Sequence, residues 1–360
     1  MYSSSTSSSN PLDDVAVPNN PSDGISHLEF SPKANHLIAS SWDGQVRCWD
    51  IQQNGEIRLV GQQAHQAPVL DCGWHSDGTK VFTASCDKTA KLWDLASNQA
   101  TVVAQHEAPI RTCHWVQSPS YQLLMTGSWD KTLKFWDPRS SKAAFSFGLP
   151  DRCYCADVVY PFAVVCTAGR GILWYQLGNQ PMHFKDIDSV LKYQLRSVAI
   201  FRDKSGEPAG MAYGSIEGRI AVNYLRNTRG GDKNDNFQFK CHRGAALGRT
   251  KVQEVYAVND LAFHPVHHSV LASAGSDGIF SYWDKDEHSK LPFPPGDPKP
   301  QSQSISAICF NTPGDIMAYA VSYDWAKGHE LYNPQFGNHI YLRPSEALPT
   351  EPAKKSKGRR

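Results

Sequence analysis

One thirteen-residue pattern returns along this chain and dictates what it can fold into. Thr83 to Leu95 reads TASCDKTAKLWDL, Thr126 to Pro138 reads TGSWDKTLKFWDP, and Ala39 to Ile51 reads ASSWDGQVRCWDI. In each copy an Asp stands six residues before a Trp-Asp pair (Asp43/Trp49, Asp87/Trp93, Asp130/Trp136), and a Ser stands two residues before that Asp. The tryptophans 49, 93 and 136 lie 44 and 43 residues apart, the period of a four-stranded blade and of no helical repeat built from these residues. A single such unit cannot bury its own apolar faces, so neighbours must stack.

Within each copy a β-branched and aromatic run ends at an Asp-Gly or Asp-Lys turn and resumes in alternation, as two tightly joined antiparallel strands require. Ser273 to Lys285, SAGSDGIFSYWDK, adds Asp277 and Trp283. Two further segments keep the spacing without the signature. Val165 to Leu177 has Thr167 for the Ser, Gly169 for the Asp and Tyr175 for the Trp, and Tyr213 to Leu225 has Ser215, Glu217 and Asn223. A last unit from about Ile305 carries Ser322 and Asp324 but no Trp-Asp. The fold class expected is all-β, a seven-bladed WD-repeat β-propeller. Its last blade should be closed by a short N-terminal strand, Asp14 to Val17. Residues 1–12 should form a disordered Ser-rich tail, 13–343 the propeller, and 344–360 a basic tail. Residues 226–251 should form a basic insertion between blades five and six.

Ser85, Asp87 and Trp93, with His65 from the preceding loop, are the residue types of an internal hydrogen-bonded relay: indole to Ser, Ser to His, His to Asp. His106, Ser128, Asp130 and Trp136 repeat it. Because these Ser, His and Asp residues recur with the repeat, they read as architecture rather than catalysis. No GxxxxGK[ST] or CxxC string is present, and no cofactor or metal site is expected. The repeat was also expected to place no converging acids on the central channel, which a propeller hydrolase would need. Nine cysteines without a secretory leader, and no long apolar run, predict an intracellular chain with free thiols.

The formal charge is +1, yet residues 226–251 alone carry +5 and residues 354–360 another +5. That segregation suits an acidic peptide or a nucleic-acid backbone.

Several strings lie outside the generic repeat: RCYCADVVYP, GSIEGR, FKCHR, YAVNDLAFHPVH and SYDWAKGHELYNP. With VFTASCDKTAKLWDL and MTGSWDKTLKFWD, they make the chain from about Asp13 to Arg343 resemble the WD-repeat mRNA export factors of the Gle and Rae type. The resemblance implies a non-enzymatic scaffold that binds the acidic Gle-binding hairpin of an FG-repeat nucleoporin and acts in mRNA export at the nuclear pore. It also implies RNA binding, residence in the nucleus, nuclear envelope, cytoplasm and mitotic spindle, and a spindle or checkpoint role. By the same resemblance Arg219 meets acidic groups of the hairpin, while Phe239, Lys240, Trp283, Asp284 and Lys285 line an outer or nucleic-acid-facing surface. The sister family of kinetochore propellers, which bind mitotic checkpoint kinases through a related hairpin, is the alternative.

Overall fold

Strand b of each blade reads as an unbroken apolar or small-residue run, for example KVFTAS, FAVVCT and IMAYAV, and each is buried from its second residue onward. Such runs belong to strands covered on both faces. The outermost strands alternate instead: IRLVGQQA and AAFSFG are half-buried and exposed in strict turn, because only one face meets a neighbour. In the computed structural model these strands form seven four-stranded antiparallel sheets. The model describes Leu12 and residues 14–225, 235–245, 252–292 and 300–345. The expected Ser-rich tail except Leu12, most of the basic insertion and residues 346–360 lie outside the described residues.

Blades one to six occupy residues 25–64, 69–105, 110–148, 153–188, 195–240 and 258–290, each with strands a to d in chain order. Blade seven takes its first three strands from 305–344 and its fourth from Val15–Ala16. The N-terminal segment thus closes the ring, pairing antiparallel with His339–Pro344 through Val15 to Leu342 and Ala16 to Tyr341.

Strand a carries an irregularity at the same place in all seven blades, where the register with strand b slips over the second residue. A bulge of this kind re-aims one side chain. Here the re-aimed residues are Ser26, Leu70, Arg111, Tyr154, Arg196, Asn259 and Ser306, and all seven line a channel of about 1000 Å³ on the propeller axis. The channel wall corrects the sequence expectation. Glu29, Asp71, Asp157 and Asp260 do converge on it. Three of them bond across a blade junction: Asp71 accepts from Cys113 N at 2.9 Å, Asp157 from Ile200 N at 2.6 Å and Asp260 from Ile308 N at 2.9 Å. They join adjacent blades, and among the described residues no cluster of three or more His, Cys, Asp or Glu side chains could hold a metal ion.

Candidate partner-binding face

The turns between strands b and c and the connections from each strand d to the next strand a lie on one face of the ring. Backbone bonds tie them together, as in His106 N to Lys88 O at 3.0 Å and Cys241 N to Gly218 O at 3.0 Å. The expected relay sits here, with one correction. His65 Nδ1 meets Asp87 at 2.8 Å, but its Nε2 meets Thr83 Oγ1 at 2.7 Å rather than Ser85. Likewise His106 joins Asp130 and Thr126, and Trp136 donates its indole hydrogen to Thr126 at 2.8 Å. Ser85 and Ser128 instead accept from the N–H of Asp87 and Asp130 and donate to loop carbonyls, bracing the turn. The reason is geometric. A residue four before the Asp lies inside strand b, whereas one two before it is the last residue of that strand, against the turn. Trp93 departs further, donating to Asn98 Oδ1 at 2.9 Å.

Burial lowers the pKa of His65 and His106, against the pull of their carboxylate partners, so both rings are held neutral. Burial also opposes ionisation of Asp87, but the Thr89 hydroxyl, His65 and the Thr89 N–H outweigh it and hold the carboxyl at about 2. The sequence reading missed a third relay. His242 of FKCHR joins Asp277 at 3.0 Å and Ser273 at 2.8 Å, and Trp283 donates to the same Ser273 hydroxyl at 2.9 Å. The signal was available, since Ser273 stands four before Asp277 as Thr83 stands before Asp87.

That relay also corrects the outer-surface reading of blade six. Trp283 is half-buried with its indole engaged, and Phe239 packs on it at 4.7 Å between centroids. Asp284 is buried and caps the following turn through the N–H groups of Asp286 and Glu287. Lys285 is only 6 % exposed: its stem is covered, its ammonium bonds Asp286, and it lies 4.7 Å from the centre of the Phe201 ring. Lys240 alone of the five is exposed.

Lys240 is the register partner of Arg219, so the two cations lie side by side at the rim of blade five. Arg219 stands 3.6 Å from the Glu217 carboxylate, beyond hydrogen-bond reach. Arg243 is fixed beside it by the Glu217 and Gly218 carbonyls, at 2.7 and 3.4 Å. What continues this strip comes from two of the strings outside the repeat, YAVNDLAFHPVH and SYDWAKGHELYNP. Tyr256 pairs through its N–H with His242 O, and Lys327 reaches over its ring at 5.5 Å. Lys327 belongs to residues 322–338, the long b–c connection of blade seven, where Trp325 and Tyr332 stack at 5.0 Å and stand 49 % and 40 % exposed. Tyr323 packs on both, and beyond it Trp42 of blade one is 47 % exposed. A cationic and aromatic strip therefore runs from blade five over six and seven to blade one. Exposed aromatics gathered at one end of a fold are the composition of a binding surface.

Comparison with known proteins follows this geometry. The family model "WD domain, G-beta repeat" matches residues 15–50, 58–94, 97–137 and 250–284. The matches take in the four copies with a Trp-Asp pair and pass over blades four and five and the first three strands of blade seven. Proteins named "mRNA export factor" from Xenopus tropicalis and Danio rerio are each 56 % identical over 344 residues, covering 95 % of this chain and 92 % of theirs. The Mus musculus protein of that name is 55 % identical over the same length. Two solved structures, "Structure of U3-55K" and "Crystal structure of RRP9 WD40 repeats", superpose with TM-scores of 0.74 and 0.70. They cover 92 % of this chain and 99 % and 98 % of their own, and at 14 % identity they speak to the fold alone.

Proposed function

This chain belongs to the mRNA export factor family of WD-repeat proteins, and we propose that it is a non-enzymatic scaffold for an acidic protein hairpin. A role in mRNA export comes with the family. The hairpin is the Gle-binding segment of an FG-repeat nucleoporin, and the site of action is the nuclear pore. The observation that carries this reading is the continuous strip from Arg219 and Arg243 through Lys327 to Trp325, Tyr332 and Trp42. Cations grip carboxylates in parallel bonds, while rigid aromatics supply contact area at little entropic cost. None of these groups is needed by the relays.

The proposal extends to RNA, held by the exposed Lys240 and the basic segment 226–251, and to a share in spindle or checkpoint work through kinases with a related hairpin. Pore, cytoplasm and spindle would then all be sites of residence. The test is titration of a nucleoporin Gle-binding peptide against wild type, Arg219→Glu, Trp325→Ala and, as a control, Arg58→Glu, an exposed site on blade one. Wild type and control should bind equally, and Arg219→Glu should lose about 2–5 kcal/mol of affinity. Unchanged affinity in both Arg219→Glu and Trp325→Ala would remove the strip from consideration. The same proteins mixed with a labelled oligoribonucleotide check the extension to RNA, which lapses if the full chain shows no salt-dependent binding.

A further inference from the structure

The seven bulge residues at the channel mouth are not equivalent. Ser26 bonds Val69 O at 2.6 Å, and Asn259 bonds Ile305 O at 2.9 Å, so each spends its side chain on the next blade. Arg111 gives one nitrogen to Leu70 O at 3.1 Å and keeps the rest of its fork free. Arg196, among the described residues, makes no hydrogen bond or ion pair at all, though it lines the same cavity. Burial works first against its charge; Asp324 then attracts it, and Arg111 repels it more weakly. Asp324 is already engaged by Asn259 and Ser276.

A partly buried guanidinium left unpaired beside a second one costs stability, and folding gains nothing from it. Tyr154 stands between the two arginines on blade four, with Arg152 over its ring at 5.5 Å. The same wall holds further polar atoms without partners among the described residues: Ser197 Oγ, in a residue only 4 % exposed, Trp129 Nε1 and His114 Nε2. Among the described residues the channel carboxylates Asp71, Asp157 and Asp260 bond backbone N–H groups of adjacent blades and neither arginine directly.

We infer that the channel mouth on blades three to five is a binding site for a compact oxyanion, gripped by Arg196 and Arg111 with hydroxyl and indole donors around them. The oxyanion is a free phosphate group or a carboxylate carried by a docked partner, and the site stands whether or not a hairpin covers the face. Guanidinium forks favour both, because each presents two or more oxygens in the geometry of parallel N–H donors.

The experiment is thermal denaturation of the full chain in sodium phosphate against sodium chloride at matched ionic strength, for wild type, Arg196→Gln, Arg111→Gln and the exposed control Arg139→Gln. Phosphate at saturation should raise the wild-type and control Tm by a few degrees over chloride. Arg196→Gln should lose that response while melting in chloride no lower than wild type, because it removes an unpaired charge. A structural arginine would show the opposite, a lower Tm with the phosphate response retained. Equal Tm of wild type in phosphate and chloride, or an undiminished response in both variants, overturns the site. Calorimetric titration of wild type with inorganic phosphate reads the same binding without any variant. A labelled polyglutamate peptide separates the sources: displacement by phosphate assigns the site to a partner's carboxylate, and independent binding assigns it to free phosphate.

Discussion

Thr126 serves two buried side chains with one hydroxyl and lies a longer 3.5 Å from Lys134 O. The Asp130 carboxylate can only accept, so the neutral His106 ring carries its proton on Nδ1 and its Nε2 accepts the Thr126 hydrogen at 2.8 Å, while the Thr126 oxygen accepts the Trp136 indole hydrogen. The tautomer is thereby set by the carboxylate. Thr83 has only His65 to satisfy, because Trp93 turns to Asn98. Thr126→Ala therefore strands two buried groups and Thr83→Ala one. With each stranded buried group costing about 1–3 kcal/mol, Thr126→Ala should destabilise more than Thr83→Ala by that amount in urea unfolding, and Thr126→Ser should recover most of it. Equal losses in the two alanine variants would show that the indole bond contributes nothing. The sequence pointed to these blades but to the wrong hydroxyl, since Ser and Thr two residues apart are both plausible acceptors until the middle of strand b is told from its last residue.

Among the elements, the N-terminal strand is one of the two shortest and has the largest consequence. Two residues of ladder are too little to hold an edge, and the side chains around them explain why it stays. Asp14 takes the Arg343 guanidinium at 2.8 Å and the Tyr319 hydroxyl at 2.7 Å, while Asn20 accepts from Ile340 N at 2.9 Å. Trp49, the signature tryptophan of blade one, donates to Pro18 O at 2.8 Å in place of a relay. The clasp therefore fastens blade seven and blade one together. Deleting residues 1–18 should lower the melting temperature by several degrees and promote association through the opened edge, whereas deleting 1–10 should do neither. Asp14→Ala, with the strand intact, should fall between them. Identical melts for the two truncations would count against closure by this strand. Its place was legible because three strands of blade seven needed a fourth. The aromatic b–c connection of the same blade stood out as a string beyond the repeat, but its stacking was not legible, for a seventeen-residue loop has no repeat to be read against.

At the scale of the whole molecule, the channel has properties that no blade carries alone. Glu29 comes from blade one, yet its carboxyl is pushed up to about 8, first by burial on the channel wall, then by Asp71 of blade two and, after the opposing Trp74 N–H bond, by Asp157 of blade four. Nothing in the repeat announces this, because such acids converge only once the ring is closed. An unfolded chain releases this proton near 4.5, while the folded one keeps it up to about 8. The folded state therefore loses ground steadily as pH rises through that window and no further above it. Glu29→Gln keeps the shape and an acceptor for Trp74 N without the titration. It should be more stable than wild type by ~1–2 kcal/mol at pH 8, discounting the full shift for the water in the channel, and the advantage should vanish toward about pH 5. Chemical denaturation of both proteins across that range checks it. A difference that stays constant with pH would mean that Glu29 titrates alike in both states and that the charges of blades two and four do not reach it.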